Sequence, residues 1–207
     1  MSNQSGSIYG LTILSPIQDE LHLKISHSLA IRMYLQTLPI DGKGPFGKVS
    51  STHMARLVVL DDVVYFGMPS CEEHLQSKYL IFESNFDGDL ETYLKRLATE
   101  ASEEVHSIWK HCVGYPGVTD VAAFIAYMKL CQVETTLYFA DVNDKTVQQT
   151  LRALQTQSAV TSFIEKNQGK SPADLQKAFV EFSKHLGNTP PPKPGSIEGK
   201  EFTDKLL

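Results

Sequence analysis

The chain predicts an α+β fold, an antiparallel sheet of four strands with two helices on one face and further helices following it. Three observations carry that prediction. Residues 79–86 alternate, with Leu80, Phe82, Ser84 and Phe86 on one side and Tyr79, Ile81, Glu83 and Asn85 on the other, the period-two pattern of a strand with one apolar and one mixed face. Immediately afterwards Leu90, Leu94, Leu97, Ala101, Val105, Ile108 and Cys112 recur at helical spacing, with Glu91, Lys95, Arg96, Glu103 and Lys110 off that face. Finally, strand-like runs alternate with helical runs along the rest of the chain in the order β-α-β-β-α-(α)-β-α-α.

Residues 9–14, YGLTIL, form the first strand, which Ser15-Pro16 ends because a proline is poorly placed in a central ladder. Leu21, Ile25, Leu29 and Met33, with Ala30 and Tyr34 beside them, give a first helix that stops near Leu38-Pro39. Residues 41–52 hold three glycines and a proline and read as loop. The second strand is 53–60, and a connection of residues 61–77, in which 63–66 extend the hairpin, leads to the third strand at Tyr79. Asp87-Gly88-Asp89 stops that strand: Gly88 can take a positive φ, and either aspartate can accept backbone N–H groups at the following helix start. That helix is one long element, or two with a joint near residues 99–102.

Thr119 caps a further amphipathic segment in which Val121, Phe124, Ile125, Met128 and Cys131 share a face. Residues 133–142, VETTLYFADV, alternate and supply the fourth strand. Asp141, Asn143 and Asp144 offer caps for a helix carrying Val147, Leu151 and Leu154, with an extension to about Asn167. Ser171-Pro172 with Asp174 gives a cap, a first-turn proline and an early acid, followed by Leu175, Phe179, Phe182 and Leu186 on one face and Gly187 as a stop. It is the best-signalled helix of the chain. Residues 188–195, NTPPPKPG, form an extended polyproline-like linker, and 196–207 a polar tail.

At 207 residues, with 42% hydrophobic residues, the chain fits one domain over 1–187 followed by the linker and tail of 188–207. A net charge of -5 without any Lys/Arg block argues against nucleic acid or an anionic membrane surface as the main partner. No apolar run reaches the ~18 residues of a spanning helix, and residues 1–10 lack the pattern of a signal peptide, so a cytoplasmic protein is expected. Three cysteines, Cys71, Cys112 and Cys131, form no CxxC, which suits a reducing compartment.

The first six main elements are a split βαβ arrangement, a ferredoxin-like βαββαβ sheet with additional C-terminal helices. If strands two and three form a hairpin with Leu60 opposite Tyr79, then Arg56 lies opposite Glu83 and Met54 opposite Asn85. A cross-strand ion pair then sits on the open face of the sheet with Val58, Ile81 and Tyr138. That surface is too apolar for open water and is expected to pack on a second copy as a homodimer.

THMARLVVLDD, YLIFESNFDGDLETYL and SIWKHCVGYP, in that order, resemble a family of uncharacterised bacterial proteins with HFARFVVLDD, LLFESNFDGDxxxYL and IWxHCxGYP motifs. The match covers roughly residues 9–146. Met54 stands where that family commonly has Phe, and Lys110 where it often has Gly. The resemblance implies a ferredoxin-like α+β fold similar to the dimeric α/β barrels, which include haem peroxidases, chlorite dismutases and small monooxygenases. It implies no established activity and leaves the cofactor unknown, and neither the peroxidases' distal Asp motif nor a convincing proximal histidine is there to carry over.

Several side chains have chemistry to weigh. His53 starts strand two where Asn85 ends strand three, and with His111 and Tyr115 it forms the one polar cluster expected at a common pocket mouth, a place for a small-molecule ligand. His53 reads either as a general base or ligand, or as a strand-end histidine bonded to a carbonyl. His111 and Cys112 diverge by about 100° on a helix, so Cys112 reads as a buried, unreactive thiol. Asp87 and Asp89 lack the spaced oxygens of a calcium loop, helix capping accounts for them, and no metal site is expected. Arg56 and Glu83 suit a structural ion pair better than acid/base work. The sequence thus supports a dimer that binds a small molecule or a cofactor, with oxidoreductase chemistry as one form of that reading and a non-catalytic interaction module as the alternative. In the tail, either Phe202 or the terminal Leu206 and Leu207 are expected to dock on an apolar patch of the same or a neighbouring subunit.

Overall fold

A computed structural model of the chain describes residues 3–19, 24–40, 42–63, 67–68, 74–141 and 143–195. Leu21 of the expected first helix, most of the 63–66 extension, Cys71, and Phe202, Leu206 and Leu207 of the tail lie outside them. The fold is α+β, with a four-stranded antiparallel sheet in the order β1-β2-β4-β3. Its strands are β1 (Gln4–Ser5), β2 (Ile8–Pro16), β3 (Thr52–Leu60) and β4 (Tyr79–Asp87). Among the described residues, no helix is long and apolar enough to cross a membrane.

The alternation along β4 is realised: Leu80, Phe82, Ser84 and Phe86 are buried, and their odd-numbered neighbours are half-buried. Ser84 tolerates the core because its Oγ lies 2.7 Å from the hydroxyl of Tyr93, whose ring stacks on Phe86 at 3.7 Å. The hairpin register is the expected one, with Leu60 opposite Tyr79, Arg56 opposite Glu83 and Met54 opposite Asn85. Asp62 anchors the connection between these strands, accepting from the amides of Val63 and Leu75 and from His74 Nδ1. Those donors hold its carboxyl at about 2.

The helix after β4 is two helices, α3 (Leu90–Glu100) and α4 (Ser102–Trp109), joined where Ala101 leaves helical geometry. Asp89 is the cap, accepting from the Thr92 amide, while Gly88 supplies the turn at φ 91°. Their apolar stripe covers the inner face of the sheet, with Tyr93, Leu94, Leu97, Val105, Ile108 and Trp109 each at most 1% exposed. The helix expected next is α5 (Val121–Leu130), capped by Asp120 rather than Thr119 and packed against α3.

The first helix departs from expectation. α1 (His27–Leu35) starts at a Ser26 cap and buries Ser28 and Ile31, leaving Ile25, Leu29 and Met33 about half exposed. The true inward stripe is Ser28, Ile31 and Leu35; a polar residue in its first position hides it, and the apolar series beginning at Leu21 straddles the helix boundary. In the loop that follows, Pro45 opens one helical turn, α2 (Pro45–Lys48).

The expected fourth strand, 133–142, does not form. Residues 131–133 do meet the edge of β2: Leu14 N donates to Cys131 O at 2.8 Å and Val133 N to Thr12 O at 2.9 Å. Beyond them the place is taken by β1, where Gly10 N donates to Asn3 O, so the segment has no free ladder to follow. It turns across the open face, Thr135 N donating to Asn3 Oδ1, and Leu137 and Phe139 are largely exposed.

The remaining helices are α6 (Val147–Lys166) and α7 (Pro172–Asn188). Thr146 caps α6 in a reciprocal pair with Gln149, in place of the residues at 141–144. Ser171, Pro172 and Asp174 start α7 as expected.

Candidate functional site

A cavity of ≈ 440 Å³ opens at the edge of the sheet, between β3, the end of α1 and the glycine-rich loop around α2. Its walls are mainly apolar: Leu35, Leu38, Phe46, Ala55 and Leu57 line it. Phe46 is fixed from behind by stacking on Phe82, which meets Trp109 edge-on. The loop closes backbone on backbone, since a Cβ on Gly47 would fall 2.7 Å from Gly42 O. Among the described lining residues Thr52 and His53 bear the polar side chains, and Thr52 Oγ1 lies 3.4 Å from the Tyr93 hydroxyl.

His53 reaches this wall through a bulge. Register slips between Thr52, opposite Phe86, and Met54, opposite Asn85, so His53 has no cross-strand partner. Its Nε2 lies 2.7 Å from Asp87 Oδ1, with the two side chains 23% and 14% exposed. Asp87 is held in turn, its Oδ2 accepting from Val147 N at the start of α6 and its own amide donating to Ser51 O. A carboxylate at Nε2 fixes that nitrogen as the donor, which leaves Nδ1 as the ring's other polar atom.

The expected common mouth of His53, Asn85, His111 and Tyr115 does not form. His53 and Asn85 lie at the end of the sheet where β4 finishes, but Asn85 faces the open side and accepts from the Tyr138 hydroxyl at 3.3 Å. His111 lies at the opposite end, beside the bridge between Ile17 and Cys112, and its Nδ1 is 2.8 Å from Nδ1 of His27. Geometry forces this separation, because a helix that leaves the end of a strand and packs back along it delivers its exit to that strand's beginning. Tyr115 packs between His106, Phe124 and Tyr127. Burial pushes its phenol up to about 12 and leaves the hydroxyl without a partner among the described residues. Desolvation likewise pushes the Cys112 thiol up to about 12, as expected of a structural cysteine. The described residues hold no cluster of three or more metal-ligating side chains.

The open face carries a second, smaller cavity of ≈ 280 Å³. Arg56 and Glu83 form the expected cross-strand ion pair there. Tyr138 roofs one side, its ring so close to Gly10 that an added Cβ would fall 2.5 Å from Cε2. A glycine inside an otherwise apolar strand is the sequence signal for such an approach. Asp87 as partner of His53, and Leu35, Leu38, Phe46 and Leu57 as one wall, have no such local signal, because they come from four separate stretches of chain.

Fold and site together define an α+β protein with an apolar cavity at a sheet edge and one carboxylate-held histidine on its wall. No known family model, curated protein or solved structure matches the chain.

Proposed function

We propose that the protein binds a small, mainly apolar molecule carrying one hydroxyl or acidic group. The observation that supports this reading is the cavity of ≈ 440 Å³ with His53, oriented by Asp87, as its polar contact. A largely apolar concavity with few placed polar groups is the usual form of a ligand site. Neutral His53 would accept from a hydroxyl; protonated, it would donate to an acid. Decanol and decanoate are suitable probes, titrated into the protein and followed by methyl NMR. Shifts at Leu35, Leu38 and Leu57 are expected, with binding weakened about tenfold by His53→Ala, the effect of losing one buried hydrogen bond. Absence of binding by both probes, or binding indifferent to Leu57→Trp and His53→Ala together, would contradict the reading. So would purified protein absorbing as haem or flavin does.

The expected homodimer belongs to the same proposal, formed through the open face around Arg56, Val58, Ile81 and Tyr138, of which Val58 is 40% exposed. Sedimentation as a monomer at high concentration would count against it. An interaction module is the second reading, favoured by one observation: α7 buries none of its residues and leaves Leu175, Phe179 and Val180 exposed.

A further inference from the structure

We infer that the cavity has a built-in competitor: residues 196–207 of the same chain dock their apolar side chains, Phe202 foremost, into the space proposed above for a ligand. The inference rests on that reading of the cavity, and adds its regulation.

The path of the linker carries the argument. A chain leaving the end of α7 with this composition has no reason of its own to choose a direction, yet the linker is bound at its base by α6. Arg152 donates through Nη1 to Thr189 O and through Nη2 to Leu186 O at 2.7 Å. Gln155, 2% exposed, donates through Nε2 to Pro190 O at 3.1 Å. A buried amide spent on a proline carbonyl is a specific contact, since that carbonyl has no secondary-structure partner. From there Pro191, Pro192 and Pro194 keep the segment extended, which lowers the entropy lost on holding it. The described chain ends where Pro194 and Gly195 form part of the cavity's own lining. Their seat is shaped for backbone: a Cβ on Gly42 would stand 2.4 Å from Pro194 O.

The next residues are SIEGKEFTDKLL. Phe202 is seven residues beyond Gly195, a reach of about 23 Å when extended, so its entry is not limited by length. Phe202, Leu206 and Leu207 suit the aliphatic and aromatic walls, while Glu198, Lys200 and Glu201 would stay in water outside. Tethering supplies an effective concentration on the order of 1 mM. A segment with an intrinsic affinity of about 0.1 mM would then occupy the cavity roughly nine-tenths of the time and weaken a competing ligand about tenfold.

The test uses the full chain. A nitroxide is placed at Thr203→Cys in a background with Cys71→Ser and Cys131→Ser, and relaxation of assigned methyl groups is measured. Broadening concentrated at Leu35, Leu38 and Leu57 is expected, with Gly42→Ala reducing it by lifting the linker. Broadening centred on Leu175 and Val180 of α7, or none beyond that of free nitroxide, overturns the inference. Independently, Phe202→Asp is expected to tighten decanoate binding about tenfold, and unchanged affinity overturns the competition. If neither decanol nor decanoate binds to either form, the small-molecule reading fails, and the relaxation map still decides where the tail docks.

Discussion

The sheet with α1 to α5 and the hairpin of α6 and α7 are built on different principles. In the first, Phe82, Phe86, Tyr93, Leu94, Leu97 and Trp109 are all at most 1% exposed, stacked ring on ring and shielded by helices. In the second, α7 has no buried residue, and its apolar side meets α6 through a small set of aromatic contacts, Phe163 stacking on Phe182 at 4.7 Å with Phe179 edge-on at 5.9 Å. Yet α7 has the cleanest start signal in the chain. Caps and first-turn residues specify that a helix exists and where it begins, whereas burial specifies what it costs to lose it; the two kinds of information are separate.

The largest expected effect follows directly. Phe82→Ala empties a fully buried ring site and should cost about 3–5 kcal/mol, while Phe179→Ala, 54% exposed, should cost less than about 1 kcal/mol. Urea unfolding of the two variants checks the pair. A Phe179→Ala loss equal to that of Phe82→Ala would mean that the α7 face is covered in solution by a partner or a second copy, and the contrast between the regions would collapse.

The same contrast explains what the sequence disclosed. Period-two alternation in β4 and the stripe of α3 and α4 were legible because each records a single buried face on a regular element, and the hairpin register rested on one further premise, Leu60 opposite Tyr79, which the structure has. The fourth strand at 133–142 was misleading because alternation reports compatibility with a strand, not whether an edge is vacant; two residues at the start of the chain, Gln4 and Ser5, hold that edge. Of the site, His53 was legible as a polar residue at a strand end, and its exposure to the cavity depends on a bulge that has no composition signal. Asp87 read as one of two possible caps; its role emerges only when α6, 60 residues later, brings the Val147 amide to its second oxygen. The linker read as extended but not as anchored, since prolines advertise extension while the groups that bind it, Arg152 and Gln155, sit on a helix whose pattern says nothing of them.

A middle-sized effect sharpens the boundary between the regions. Arg152→Ala removes charged donors from two carbonyls and should cost the hairpin about 2 kcal/mol, roughly thirtyfold in the opening of its end. Amide exchange is the measurement, with faster exchange near the end of α7 and unchanged protection in β2 and β4. Equal acceleration in the sheet would show that the regions unfold as one unit and that the division is only geometric.

The smallest effect is one of pH, and it belongs to the sheet region alone. His27 and His111 face each other through Nδ1 atoms 2.8 Å apart, a contact that needs one nitrogen to donate and the other to accept. Desolvation first, then the charges of His27 and Lys110, lower the pKa of His111 below 6.5; the other near neighbour, Gln18, is neutral and donates to Cys112 O. Because the folded state holds its proton less tightly than the unfolded chain does, this histidine's contribution is fully present above about pH 6.5 and is lost as pH falls through 6.5 towards the depressed folded value. The carboxylates with lowered values, Asp61, Asp62 and Asp89, act in a separate window that begins as pH falls to about 4, near the unfolded value of 3.8. Between pH 7.5 and 5 the urea midpoint should therefore drop slightly in the wild type and by less in His111→Gln, with exchange accelerating at α1 and the end of α4 while α6 and α7 stay unchanged. An equal drop in His111→Gln would remove the histidine pair as its source, and acceleration confined to α7 would place the acid-sensitive element in the wrong region.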